Sequence, residues 1–132
     1  MNREQARDWV MAYERAWRAP GTSALAEIFT SDARYQQGPY DEPVIGLPAI
    51  GGMWEAERDG PDEVFRMTSE VVAADGDTAV VRVGVSYGDP VRQEYRDLWI
   101  VRFAGDGRCT SFEEGPFWPE HPGHAPGREP RG

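Results

Sequence analysis

A chain of 132 residues is the size of one domain. With 39% hydrophobic, 11% aromatic and 28% charged residues it has a globular composition, neither disordered nor collagen-like. Its 14 basic and 23 acidic residues leave a net charge of −9, which disfavours nucleic acid and anionic membrane, because both need a positive footprint, and favours a neutral or cationic small molecule. All the basic residues are arginine, so mechanisms built on a lysine (Schiff bases, phosphate loops, Ser-Lys dyads) are excluded. The one cysteine, Cys109, rules out an intrachain disulfide.

From Ala6, the apolar positions Trp9, Val10, Tyr13, Ala16 and Trp17 recur at helical spacing and predict a first helix that stops at Pro20-Gly21. Thr22 or Ser23 is placed to cap a short second helix carrying Leu25, Ile28 and Phe29. Residues 33–37 read as a small strand, and Gly38 to Pro43 as a loop. A third helix begins at Leu47-Pro48, presents Ile50, Met53 and Trp54, and ends by Gly60-Pro61. From residue 63 the period changes to two. Turn signals at Asp75-Gly76-Asp77, Gly88-Asp89-Pro90 and Gly105-Asp106-Gly107 divide the remainder into a four-stranded antiparallel meander. No apolar run approaches the length of a signal core or a membrane span, which predicts a cytoplasmic protein.

Alternation assigns the strand faces. Val81, Val83, Val85 and Tyr87 share one face with Tyr95, Asp97, Trp99, Val101 and Phe103. Pairing Tyr87 with Val91 sets Val81 opposite Asp97. A three-residue Asp75-Gly76-Asp77 loop adds Phe65, Met67, Ser69 and Val71 to that inner face. Pairing Phe103 with Arg108 adds Thr110, Phe112 and Glu114, with Glu114 opposite Asp97; a one-residue slip would present Glu113 instead. Either register brings two carboxyl groups together inside.

Two acids on an aromatic surface do not both ionise, so one holds a proton while the other accepts one. Asp97 and Glu114 are therefore the candidate acid–base pair, with Tyr13 as the preferred donor to a developing oxyanion and Tyr40, Tyr87 and Tyr95 as alternatives. The other reading is structural, with Asp97 paired to an arginine or accepting bonds from tyrosine and indole groups. Trp17, Tyr40, Trp54, Met67, Tyr87, Tyr95, Trp99 and Phe112 are the expected ligand contacts, Tyr35 belongs to the same aromatic set, and plain core is the alternative. His121 and His124 fall in a Pro/Gly-rich segment and supply no credible metal site. Cys109 reads as an unactivated strand residue. On the opposite face, Leu98 and Ile100 between Arg96 and Arg102 predict a homodimer through the outer sheet.

The order of elements, with Phe29-Thr30-Ser31-Asp32-Ala33-Arg34-Tyr35, Glu42-Pro43-Val44-Ile45-Gly46, Tyr95-Arg96-Asp97-Leu98-Trp99 and Phe112-Glu113-Glu114-Gly115-Pro116-Phe117-Trp118-Pro119, resembles the nuclear transport factor 2-like superfamily in its bacterial SnoaL-like branch. The resemblance covers about residues 3–119 and implies an α+β fold, a cone-shaped barrel in which a curved, mainly antiparallel sheet wraps around three N-terminal helices and encloses a pocket. The expected domain is 1–119, followed by a Pro/Gly-rich tail, 120–132. The superfamily includes ketosteroid isomerases, polyketide cyclases, scytalone dehydratase and limonene epoxide hydrolase. The dehydratase's histidines have no counterpart on the expected domain. The hydrolase's arginine between two aspartates is not evident, since Arg96 and Asp97 point to opposite faces. The expectation is a cofactor-independent isomerase, cyclase or lyase acting on an apolar oxygenated or aromatic metabolite, with a non-catalytic ligand-binding module as the alternative.

Overall fold

A computed structural model describes residues 1–58 and 64–117. The expected end of the third helix at Gly60-Pro61, the 120–132 tail and both histidines lie outside those residues. Helix α1 spans Arg3–Arg18. Asn2 begins it with a reciprocal cap: its side chain accepts from the Gln5 amide, while the Gln5 side chain accepts from the Asn2 amide. Helix α2, Leu25–Ile28, is a single turn with Ala24 at its N-cap and no side-chain cap; Thr22 contributes only its carbonyl, to Leu25. Strand β1 (Phe29–Gln36) and the two-residue β2 (Val44–Ile45) precede α3 (Leu47–Glu57), which starts with proline in its first turn as expected. Strands β3 (Phe65–Asp75), β4 (Thr78–Tyr87), β5 (Gln93–Phe103) and β6 (Cys109–Phe117) form the meander.

Among the described residues the sheet has six strands in the order β2-β1-β6-β5-β4-β3. It is antiparallel except where β1 runs parallel to β6, and it does not close on itself. The α+β architecture is as expected. The helices lie on its inner face and enclose an aromatic core in which Trp9, Phe29, Phe103 and Phe112 meet edge-on or tilted at 5.7–6.3 Å. The Trp9 indole donates to the Ile28 carbonyl at 2.9 Å, tying α1 to the end of α2.

The meander strands show the expected inner faces except at the start of β6, but the partners differ. The first hairpin turns on two residues, Gly76-Asp77, with Gly76 at φ +60°, so Asp75 pairs with Thr78. That loop alone would bring Arg66 and Glu70 inward. A bulge between Val71 and Ala73 restores the parity, and Phe65, Met67, Ser69 and Val71 face the side of Val81 and Val83. In the second hairpin Tyr87 pairs with Gln93 rather than Val91. Pro90 has no amide to pair within a tight turn, and the connection closes instead with the Arg92 amide on the Tyr87 carbonyl, at 2.8 Å. Asp97 therefore lies opposite Val83, not Val81.

The last hairpin moves by two residues in separate steps. Gly107 at φ +89° and an Asp106 side chain accepting from the Arg108 amide shape a turn that pairs Phe103 with Cys109. A bulge at Thr110 adds the second step. Cys109, not Thr110, is buried as a result, and Glu114 lies opposite Trp99 while Pro116 lies opposite Asp97. The two carboxylates become diagonal neighbours, roughly 7 Å apart at the backbone.

Candidate active site

Along β5 the inner side chains run from core to cavity. Phe103 and Val101 are covered by the helices, Trp99 lies at the boundary, and Asp97 and Tyr95 extend past it. Beyond that boundary is a cavity of about 570 Å³, within the range that holds a small metabolite. Tyr13 and Trp17 of α1 form one wall, and Phe65, Met67, Val85 and Tyr87 of β3 and β4 another. Asp97, Trp99 and Glu114 lie between them, and Gln37, Glu57 and Arg92 line it as well.

Asp97 is the buried charged residue of the described chain, 7% exposed. Its Oδ2 accepts the Trp99 indole N–H at 3.2 Å, and its Oδ1 is buried without a partner. A carboxylate oxygen left so has a desolvation penalty that no group among the described residues offsets. Burial raises the Asp97 carboxyl, and the Trp99 bond opposes that only in part. Glu114 is raised well above the ordinary carboxyl range, by burial first and then by the charges of Asp97 and Glu57. No arginine among the described residues offsets either shift. Of the pair, Asp97 is the readier to ionise and Glu114 the readier to hold its proton.

Tyr13 and Tyr35 share a buried hydroxyl–hydroxyl hydrogen bond of 2.6 Å. Burial and the Glu114 charge raise both phenols well above their usual range, so both remain neutral O–H groups. One of the two hydroxyls can donate to the other and thereby aim its partner's remaining capacity at the cavity.

Of the residues expected from sequence, Tyr13, Trp17, Met67, Tyr87, Tyr95, Asp97, Trp99 and Glu114 line this one cavity. Three are placed elsewhere. Tyr40 is fully exposed, on a loop held away by Gln36 bonding the Pro39 and Asp41 carbonyls. Trp54 and Phe112 are core: Tyr13 packs on both, with ring centroids at 5.1 and 5.5 Å. Sequence reasoning missed Glu57 and Gln37, which meet at the cavity in a 2.7 Å hydrogen bond from Gln37 Nε2 to Glu57 Oε2. The parallel β1–β6 pairing, Gln36 beside Glu113, carries this corner towards Glu114.

The SnoaL-like domain family matches residues 10–112. The chain belongs to that family. No curated protein matches this SnoaL-like chain. Among solved structures, a candidate ketosteroid isomerase of Kribbella flavida is 26% identical, with a TM-score of 0.64 over 96% of this chain and 84% of that one. A candidate polyketide cyclase of Sinorhizobium meliloti is 27% identical, with a TM-score of 0.62 over 81% of this chain and 93% of that one. An LEH-like epoxide hydrolase of M. tuberculosis, 15% identical with a TM-score of 0.66 over 86% and 83% of the two chains, shares the fold alone. No helix among the described residues is long and apolar enough to cross a membrane.

Proposed function

We propose that this SnoaL-like protein binds a small, largely apolar oxygenated metabolite in the cavity and moves a proton on it, as an isomerase, cyclase or lyase acting in the cytoplasm without a cofactor. The observation that carries the reading is the unpartnered Asp97 Oδ1 in a cavity it shares with Glu114. A buried base with a free lone pair is what carbon-proton abstraction requires. Asp97 takes the proton from a carbon beside a carbonyl, and the C–H electron pair moves into the enolate. The oxygen of that enolate receives a hydrogen bond from the Glu114 carboxyl or the Tyr13 hydroxyl, and return of the proton to a second carbon completes an isomerisation. The neighbours named for isomerisation and cyclisation, at 26% and 27% identity, point the same way.

A binding module without turnover is the second reading, favoured by the Trp99 bond that already engages Asp97 Oδ2. Deuterium uptake by 2-tetralone in heavy water, followed by NMR, separates the two. The proposed chemistry predicts protein-catalysed exchange that falls about 100-fold or more in Asp97→Asn, with the thermal transition retained. Ketone binding without exchange, or equal exchange in both proteins, contradicts catalysis by Asp97.

A further inference from the structure

We infer that the cavity takes an organic cation: an amphipathic ligand whose apolar part lies against the aromatic walls and whose ammonium group sits among Asp97, Glu114 and Glu57. The inference rests on the cavity being the ligand site, as above, and adds the charge of its occupant.

Three carboxyl groups from three different elements, α3, β5 and β6, line one cavity. The five ion pairs among the described residues engage Glu14, Glu55, Glu70, Glu94 and Asp106, all elsewhere, so none of the three has a cationic partner among the described residues. Glu57 is held by the neutral amide of Gln37, and buried Asp97 presents an oxygen with no partner among the described residues. Arg92, the cationic side chain among the described residues that lines the cavity, is exposed at its mouth, as Glu57 is. No three His, Cys, Asp or Glu residues among those described are arranged to hold a metal ion.

The walls suit the same guest. Two rings that line the cavity already host guanidinium groups: Arg18 Cζ lies 3.9 Å from the Phe65 ring centroid, and Arg58 Cζ 5.8 Å from that of Trp17. Tyr13, Tyr87 and Trp99 offer further π surface within the cavity. The net charge of −9 attracts cations towards the protein from a distance.

The test compares two isosteric probes, 2-phenylethylammonium and 2-phenylethanol, by calorimetry at neutral pH and low salt, with phenylacetate as the anionic counterpart. The ammonium should bind at least about tenfold more tightly than the alcohol, and phenylacetate more weakly than both. In Asp97→Asn, which removes the ionised acid of the pair, the ammonium preference should shrink towards unity. In Glu70→Gln, which removes the same charge from the outer face, it should persist. Equal binding of ammonium and alcohol overturns the inference and leaves the pocket reading standing. Binding of none of the probes overturns both. Loss of the preference in Glu70→Gln assigns it to net charge rather than to this site, which also overturns the inference.

Discussion

Burial raises the carboxyls of Asp97 and Glu114, and the sign of that shift sets how stability responds to pH. An acid whose native value lies above its unfolded value binds more protons in the folded state, so stability falls as pH rises through the interval between the two. Asp106 is shifted the other way by Arg108, but its contribution changes only near and below its ordinary value of 3.8. From pH 5 to 8 the buried pair therefore dominates among the shifted groups. The melting temperature should decline over that range, and Glu114→Gln should flatten the decline and raise the melting temperature at pH 8; a steeper decline in the variant would contradict this assignment. Cys109, fully buried with its thiol pushed up to about 12, should resist a thiol reagent at pH 8 and react completely in denaturant. At this scale the inward direction of Asp97 and Glu114 was legible, because strand alternation fixes parity. Glu57 was not, since an acid at a helix end reads as solvated until the neighbouring chain is known.

Among the elements, α1 is anchored at its C-terminal end by Arg58, which follows directly after α3. Its guanidinium donates to the Ala19 and Gly21 carbonyls at 2.8 and 2.7 Å, and more weakly to those of Ala16 and Trp17. Among them the Ala16 carbonyl also accepts the Ala19 amide, at 3.3 Å, and the Arg58 side chain is only 7% exposed. Arg58→Ala should cost about 2–4 kcal/mol in chemical denaturation, and Arg58→Lys less, because it keeps a charged donor there, though an ammonium cannot span the same set of carbonyls. A cost under about 0.5 kcal/mol would show the anchor to be idle. Hairpin faces were readable from Phe65, Val83 and Trp99, whereas hairpin partners were not. Bulges after Val71 and at Thr110 are set by local turn geometry, and each changes the partner by one residue while alternation in the flanking sequence looks unbroken.

Across the whole molecule, the helix-then-meander order was legible from the change of period at residue 63. The parallel pairing of β1 with β6 was not, because it joins segments that are far apart in sequence and carries no local signal. The outer sheet face exposes Leu98, Ile100 and Phe117, at 45%, 41% and 44%, beside Arg82 and Arg96. We propose this face as the homodimer contact. Sedimentation should give a dimer for the wild type and a monomer for Leu98→Asp with Ile100→Asp, and a monomeric wild type would rule the contact out. The central claim is that two acids confined in one aromatic cavity divide their roles, one holding a proton while the other is free to take one. Carbon-13 NMR titration of the side-chain carboxyls tests it most directly. The account predicts that Glu114 and Asp97 both titrate above the ordinary carboxyl range, Glu114 higher, with the response of each altered by substituting the other. Both titrating near 4, independently of one another, would contradict it.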